Sequence, residues 1–415
     1  MIMMMMMFAV RAAPRPKPAG LSAAELLLLR RRTLSQLVLG VETSCDDTGA
    51  AVLDHRGRIL GQSLCSQKEV HLRSGGIVPV VAQRLHRENV ERVVRDALSQ
   101  SGARPRQLSA VAASVKPGLA LSLAVGLEYS LAFARRHARP FIPIHHMEAH
   151  ALTVRLTRPV PFPFLVLLVS GGHGLLALAR GVDDFLLLGR TLDEAPGDTL
   201  DKVARRLSLA KHPECSSFSG GQAIEHLAKG GSRSKFPFKP PMGQHLDCNF
   251  SFAGLRNQVT KAIEKAEQEE GVRPGEMLPC VRDVAAATQH VVAAHLAKRT
   301  HRAVLFCKAG GLLPEDSPAL VVSGGVASNQ YIRKILKIIT DATGLLLLCP
   351  PSELCTDNGV MIAWNGIERL REGKGIMKHT DHVVYEPKAP FGIDITRQVK
   401  EAAIKLPRIK LAISD

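Results

Sequence analysis

Residues 145 to 150 read HHMEAH, and within them His146 and His150 stand four apart, so on a helix they share one face and could hold a metal ion together. A zinc protease helix writes the related pattern H-E-x-x-H, with the glutamate directly after the first histidine so that it can deprotonate a metal-bound water. Here the glutamate is Glu148, two residues on, and it points off the shared face. The metal half of the motif is present and the protease half is misplaced. Histidines packed at a helix start are the plainer alternative, and the spacing by itself leaves both readings open.

Three further clusters could do chemistry. Asp46 and Asp47 lie in a polar turn after the apolar run LVLGVE, and adjacent carboxylates facing a cleft would shift each other's proton affinity so that one could accept a proton. Turn-forming aspartates are the alternative for each. The turns at Ser170 to Gly174 and at Ser323 to Ser328 each follow an apolar run, and glycines there would let backbone amides approach a phosphate. A tight turn explains two glycines equally well.

The elements that must position these residues show a repeat. LVLGVETSCDDTGAAVLDHRGRILGQS (37–63) reads as strand, polar turn, strand, turn and strand, and FLVLLVSGGHGLLALARGVDDFLLLGRTLD (164–193) repeats that plan. Residues 84–102 place Val90, Val93, Val94, Ala97 and Leu98 on one helical face, ending near Gly102. Residues 319–344 read as a buried strand, a glycine turn and a helix carrying Ile332, Ile335, Leu336 and Ile339, and residues 345–373 again as strand, loop and helix. This is an α/β pattern of two related lobes, with the ligand cleft expected between them.

Composition sets the outer bounds. The chain has 415 residues, 46% hydrophobic and 22% charged, which suits a globular protein with two proper cores rather than a disordered one. Its formal charge of +16 favours a polyanionic partner or an acidic membrane face. Residues 1–36 hold +5 of that and have the arginine-bearing, acid-poor, partly amphipathic composition of a mitochondrial transit peptide, so a basic body of +11 remains without them. The eight cysteines form no C-x-x-C pair, which fits a reducing compartment, and no later segment is long and apolar enough to span a membrane.

The stretches ETSCDDT, HHMEAHA, LVSGGH, SGGVASNQYIR and CTDNGVMIA occur in this order, and from residue 37 to 390 the chain resembles the TsaD family of tRNA N6-adenosine threonylcarbamoyltransferases, in its mitochondrial branch. The resemblance implies an ASKHA fold, the duplicated two-lobe architecture of actin and sugar kinases. It implies an acyltransferase that moves the threonylcarbamoyl group of threonylcarbamoyl-AMP to N6 of the adenosine 3′ of the anticodon in mitochondrial tRNAs reading ANN codons. By position, His146, His150 and Asp357 match the family's ligands for one divalent metal ion per subunit, zinc or iron. Leu168, Val169, Ser170, Gly171 and Gly172 match the segment that holds the phosphate and carbamoyl part of the adenylate. Asp201 and Glu225 match acids that grip ribose hydroxyls, and Gly221 and Asn329 complete the nucleoside pocket; from the residues alone, Asp201 reads as a helix-start acid and Glu225 as a solvated helix residue. Set beside that reaction, Asp46 and Asp47 are the candidate catalytic acids, either of which could take the proton of the attacking amine.

The chain departs from the commoner family pattern at Asp47, where Glu is usual, and at Lys116 and Leu121, where glycines are. Implied partners are tRNA, a separate synthase that supplies the adenylate, and a second copy of the chain, in the mitochondrial matrix. The corresponding divisions are the leader 1–36, an N-terminal lobe 37–155, a C-terminal lobe 156–390 and a basic tail 391–415. Two segments could contact RNA: residues 232–244, where Arg233, Lys235 and Lys239 interleave with Phe236 and Phe238, and the tail with Arg397, Lys400, Lys405, Arg408 and Lys410. A loop anchored by buried phenylalanines and a solvated tail are the alternatives. The competing functions are a metalloprotease, which needs a base beside the metal, and a non-catalytic nucleotide- or RNA-binding scaffold, which is favoured if the metal donors do not assemble.

Overall fold

LVLGVE lacks polar alternation because the strand it forms, β1 (Leu37–Glu42), is buried on both faces. The computed structural model describes residues 36–74, 76–379 and 382–411, so the expected leader, apart from Gln36, lies outside the described residues. In the first sheet β1 pairs antiparallel with β2 (Asp47–Asp54) and parallel with β4 (Ala110–Lys116). β3 (Ile59–Ser66) and β5 (Phe141–His145) complete the order β3-β2-β1-β4-β5. Leu37, Leu39 and Val41 enter one core with helices α1 (Pro79–Ser101) and α2 (Ala120–Arg136), while Val38 enters the core on the opposite face. Helix α1 buries Val90, Val93, Val94 and Ala97 as the spacing predicts, leaves Leu98 half-buried and closes at Gly102. It begins five residues before the expected 84, at Pro79, because a proline in the first turn loses no hydrogen bond there.

Helix α3 (His146–Leu152) follows β5 directly, and the second sheet then repeats the plan of the first. The hairpins β6 (Phe164–Val169), β7 (Gly174–Ala179) and β8 (Phe185–Arg190) correspond to β1–β3, and β9 (Ala319–Ser323) lies parallel to β6 as β4 does to β1. β10 (Leu346–Leu348) and β11 (Ile393–Asp394) add the edges, giving β10-β9-β6-β7-β8-β11. Helices α4 (Pro196–Arg206), α5 (Gly220–Ala228), α6 (Val281–Ala309) and α7 (Gln330–Thr343) bury their apolar stripes in one large core with Leu165, Leu167 and Val169 of β6.

Between the sheets lie α3 and the last long helix, α8 (Gly359–Glu372). Met147, Ala151 and Leu152 of α3 pack on Val166 and Leu168 of β6, while Ala149 joins Trp364 and Ile367 of α8 against Val38 and Ile144 of the first sheet. The Trp364 indole donates to the Leu152 carbonyl at 3.1 Å, so the large ring is packed and its one polar atom satisfied. The two histidines of α3 are therefore fixed from both sheets at once. All eight cysteines are free thiols, and among the described residues no helix is long and apolar enough to cross a membrane.

Candidate functional site

His145 ends β5 and caps α3: its Nδ1 accepts from the Met147 N–H at 3.2 Å and its Nε2 donates to the Pro390 carbonyl at 3.1 Å. Burial pushes its pKa down to about 3, so it is a neutral structural cap. The helix started in this way presents His146 and His150 to the loop before α8, where Asn358 caps that helix by accepting from the Met361 N–H at 2.9 Å and thereby sets the place of Asp357. Nε2 of His150 lies 3.0 Å and Nε2 of His146 lies 3.5 Å from Asp357 Oδ1, and the three donor atoms are all within 4.8 Å of one another. Two imidazole nitrogens and one carboxylate oxygen so close together form a group that could hold a metal ion. Burial opposes charge on His146, but the Asp357 and Glu42 carboxylates raise its pKa to about 9. Burial likewise opposes charge on Asp357, yet the flanking histidines hold it below the ordinary carboxylate range.

The turn after β1 runs beside these donors. The Gln67 N–H donates to the Asp46 carbonyl at 3.1 Å, and His86 on α1 bridges the turn, with Nε2 donating to the Cys45 carbonyl at 3.0 Å and Nδ1 accepting from the Thr48 hydroxyl at 2.8 Å. Burial pushes the His86 pKa down, which keeps it neutral for that paired role. Burial also raises the Asp47 carboxyl to about 7, and its Oδ1 is buried without a partner among the described residues. Sequence reasoning singled out neither His86 nor Glu42. The signal for Glu42 was present, a lone acid at the end of an otherwise apolar strand inside ETSCDDT.

From the second sheet comes the turn Ser170–Gly174. Leu168 and Val169 have side chains buried in the two cores flanking β6, so only their main-chain atoms reach the turn. The Ser170 hydroxyl accepts from the His173 N–H at 3.1 Å, and Gly171 and Gly172 are exposed with open space where side chains would stand. Gly197, in the first turn of α4, donates its N–H to the Ser170 carbonyl at 3.1 Å, and a Cβ there would come within 2.7 Å of that oxygen. Gly324, with φ +95°, runs against the Val169 carbonyl in the same way, so the turns after β6 and β9 stack closely. His173 faces the metal donors; burial and then the two histidines lower its pKa to about 4.

Asp201, Gly221, Glu225 and Asn329 lie along the seam of α4, α5 and α7. Asp201 Oδ1 accepts from the Gly221 N–H at 3.1 Å, and Glu225 Oε1 accepts from the Gln330 N–H at 2.7 Å. The Asn329 oxygen caps α7 by accepting from the Ile332 N–H at 3.0 Å, while its amide donates to Gln289 at 3.0 Å. Gln289 is a further residue that the sequence reading missed.

A family model described as TsaD, tRNA N6-adenosine threonylcarbamoyltransferase, matches residues 58–364. The chain belongs to the TsaD family. Similar relatives named tRNA N6-adenosine threonylcarbamoyltransferase, mitochondrial, include one from Danio rerio, 72% identical over 91% of this chain and 94% of that protein. Another, from Homo sapiens, is 62% identical over 92% of each. Among solved structures, T. kodakarensis HypF aligns over 81% of this chain and 48% of its own with a TM-score of 0.54 at 16% identity, a likeness of fold alone, and the fold is the ASKHA architecture. In this TsaD-family chain the Glu148 carboxylate is held by Arg369 Nη2 at 2.6 Å between the sheets, so it is not free to serve a metal-bound water. Of the two candidate RNA segments, the first has Phe236 and Phe238 packed on the main core, Lys235 paired with Asp283 at 2.7 Å and Arg233 donating to the Tyr331 hydroxyl at 2.7 Å. In the tail, Arg397 pairs with Glu401 at 2.7 Å.

Proposed function

We propose that this chain, a mitochondrial acyltransferase of the TsaD family, modifies N6 of the adenosine 3′ of the anticodon in mitochondrial tRNAs reading ANN codons, drawing the threonylcarbamoyl group from threonylcarbamoyl-AMP in the matrix. The observation that carries the reading is the meeting of His146, His150 and Asp357 beside the Asp46–Asp47 turn of one sheet and the Ser170–Gly172 turn of the other. The N6 nitrogen attacks the carbamoyl carbon, a C–N bond forms, the C–O bond to the adenylate phosphate breaks, AMP leaves, and the proton of N6 goes to a base. Adenine N6 is a weak nucleophile because its lone pair is conjugated with the ring, so both removal of that proton and polarisation of the carbonyl lower the barrier. A divalent ion, zinc or iron, held by His146, His150 and Asp357 would supply the polarisation.

The remaining work falls to the chain's own groups. Asp47 is the better placed of the turn acids to take the proton, since a carboxyl poised near neutral pH can both accept and release it. The exposed Gly171 and Gly172, with the N-terminal turn of α4 behind them, suit the adenylate phosphate. Asp201 and Glu225 keep acceptor capacity for ribose hydroxyls beside Gly221, and Asn329, which also holds the start of α7, completes the nucleoside pocket. The divisions 37–155 and 156–390 delimit the lobes in this reading, a separate synthase supplies the adenylate, and a second copy of the chain is its partner. The test is to incubate the protein with unmodified tRNA and fresh threonylcarbamoyl-AMP, alongside a His146→Ala, His150→Ala variant, and to seek the modified nucleoside by mass spectrometry. Product from the parent alone is expected; no product from either, with both substrates intact, would favour the non-catalytic scaffold.

A further inference from the structure

Glu42 is fully buried at the end of β1, and among the described residues its ion-pair partner is a histidine, not a lysine or arginine. A carboxylate in such a place is costly unless every lone pair is used. Its Oε1 accepts from the Ser114 hydroxyl at 3.0 Å and from the Ser44 N–H, and its Oε2 lies 3.0 Å from His146 Nδ1. The Ser44 hydroxyl lies 3.0 Å from the same ring nitrogen. With its other oxygen already accepting from two donors, the Glu42 carboxylate takes the Nδ1–H of His146, which leaves Nε2, facing His150 and Asp357, as the nitrogen that gives up its proton when a cation binds. His150 differs: its Nδ1 is buried without a partner among the described residues.

We propose that Glu42 is a positioning residue for cation binding, fixing the tautomer of His146 and strengthening it as a donor, so that the two imidazoles are unequal ligands and His146 dominates affinity. This rests on the metal reading above. The anchoring strand also leads into the Asp46–Asp47 turn, so one buried carboxylate aligns the cation site with the acidic turn. Carboxylate–histidine–metal relays of this kind typically change metal affinity by about 10- to 100-fold when broken.

The experiment titrates zinc into metal-stripped protein by calorimetry with a competing chelator, comparing the parent with Glu42→Gln, His146→Ala and the double variant, and monitors folding by circular dichroism. Glu42→Gln is expected to weaken zinc by about 10- to 100-fold and to add nothing once His146 is alanine. Equal affinity in parent and Glu42→Gln, or an undiminished Glu42 effect in the His146→Ala background, would overturn the proposal while leaving the metal reading intact. A parent that takes up no zinc would sink both. Should Glu42→Gln fail to fold, nitrogen-15 shifts of the histidine rings in the zinc-loaded parent decide the matter: His146 protonated on Nδ1 is expected, and protonation on Nε2 would refute the proposal.

Discussion

Burial lifts the Asp47 carboxyl to about 7 against the opposing hydroxyl of Ser66, with Asp46 and Asp357 adding to the rise. Only the ionised form can take a proton from N6, so kcat should increase with pH through about 7 in steady-state profiles; Asp47→Asn is expected to flatten that limb and lower kcat by roughly 10²- to 10⁴-fold. Stability should move the other way. A folded-state pKa above the unfolded value means that the folded chain binds the extra proton, so this group's contribution is full below the unfolded pKa and is lost as pH rises toward 7. Asp47→Asn is therefore expected to raise the melting temperature at neutral pH, and an unchanged melting point would contradict the burial argument. At this scale the sequence exposed His146, His150, Asp46 and Asp47 because their types and spacing are chemical. It did not expose Glu42 or His86, whose importance lies in partners 104 and 41 residues away in the chain.

Asn329 and Asn358 both cap helices through the same side-chain contact, yet only Asn358 adjoins a metal donor. Replacing either by alanine is expected to cost about 1 kcal/mol in denaturant unfolding. Bound zinc should fall for Asn358→Ala and persist for Asn329→Ala, because loosening the start of α8 displaces Asp357 whereas loosening α7 does not. The paired hairpins were legible in the sequence, since apolar runs punctuated by polar turns specify strands locally. The beginning of α1 was not, because Val80 is exposed and gives the first turn no apolar periodicity to read. Nor was the placement of α8 on the first sheet, a tertiary choice made by Trp364 and Ile367 meeting Val38 and Ile144.

Across the whole molecule, the formal charge of +16 bears on the substrate rather than the fold. Affinity for tRNA is expected to fall linearly on a plot of log K against log salt, with a slope that counts phosphate contacts at about 0.7 to 0.9 each; a flat plot from filter binding would remove the electrostatic role of the surface. Lys235 and Arg233 are already paired within the chain, so alanine at Phe236 or Phe238 should act on stability more than on that slope. The most direct measurement follows both halves of the donor at once, using threonylcarbamoyl-AMP labelled in its threonyl carbons and in its phosphate. One threonyl label entering tRNA for each labelled AMP set free is the expected result. Phosphate label in the RNA, or AMP released with the threonyl label left in solution, would contradict the transfer.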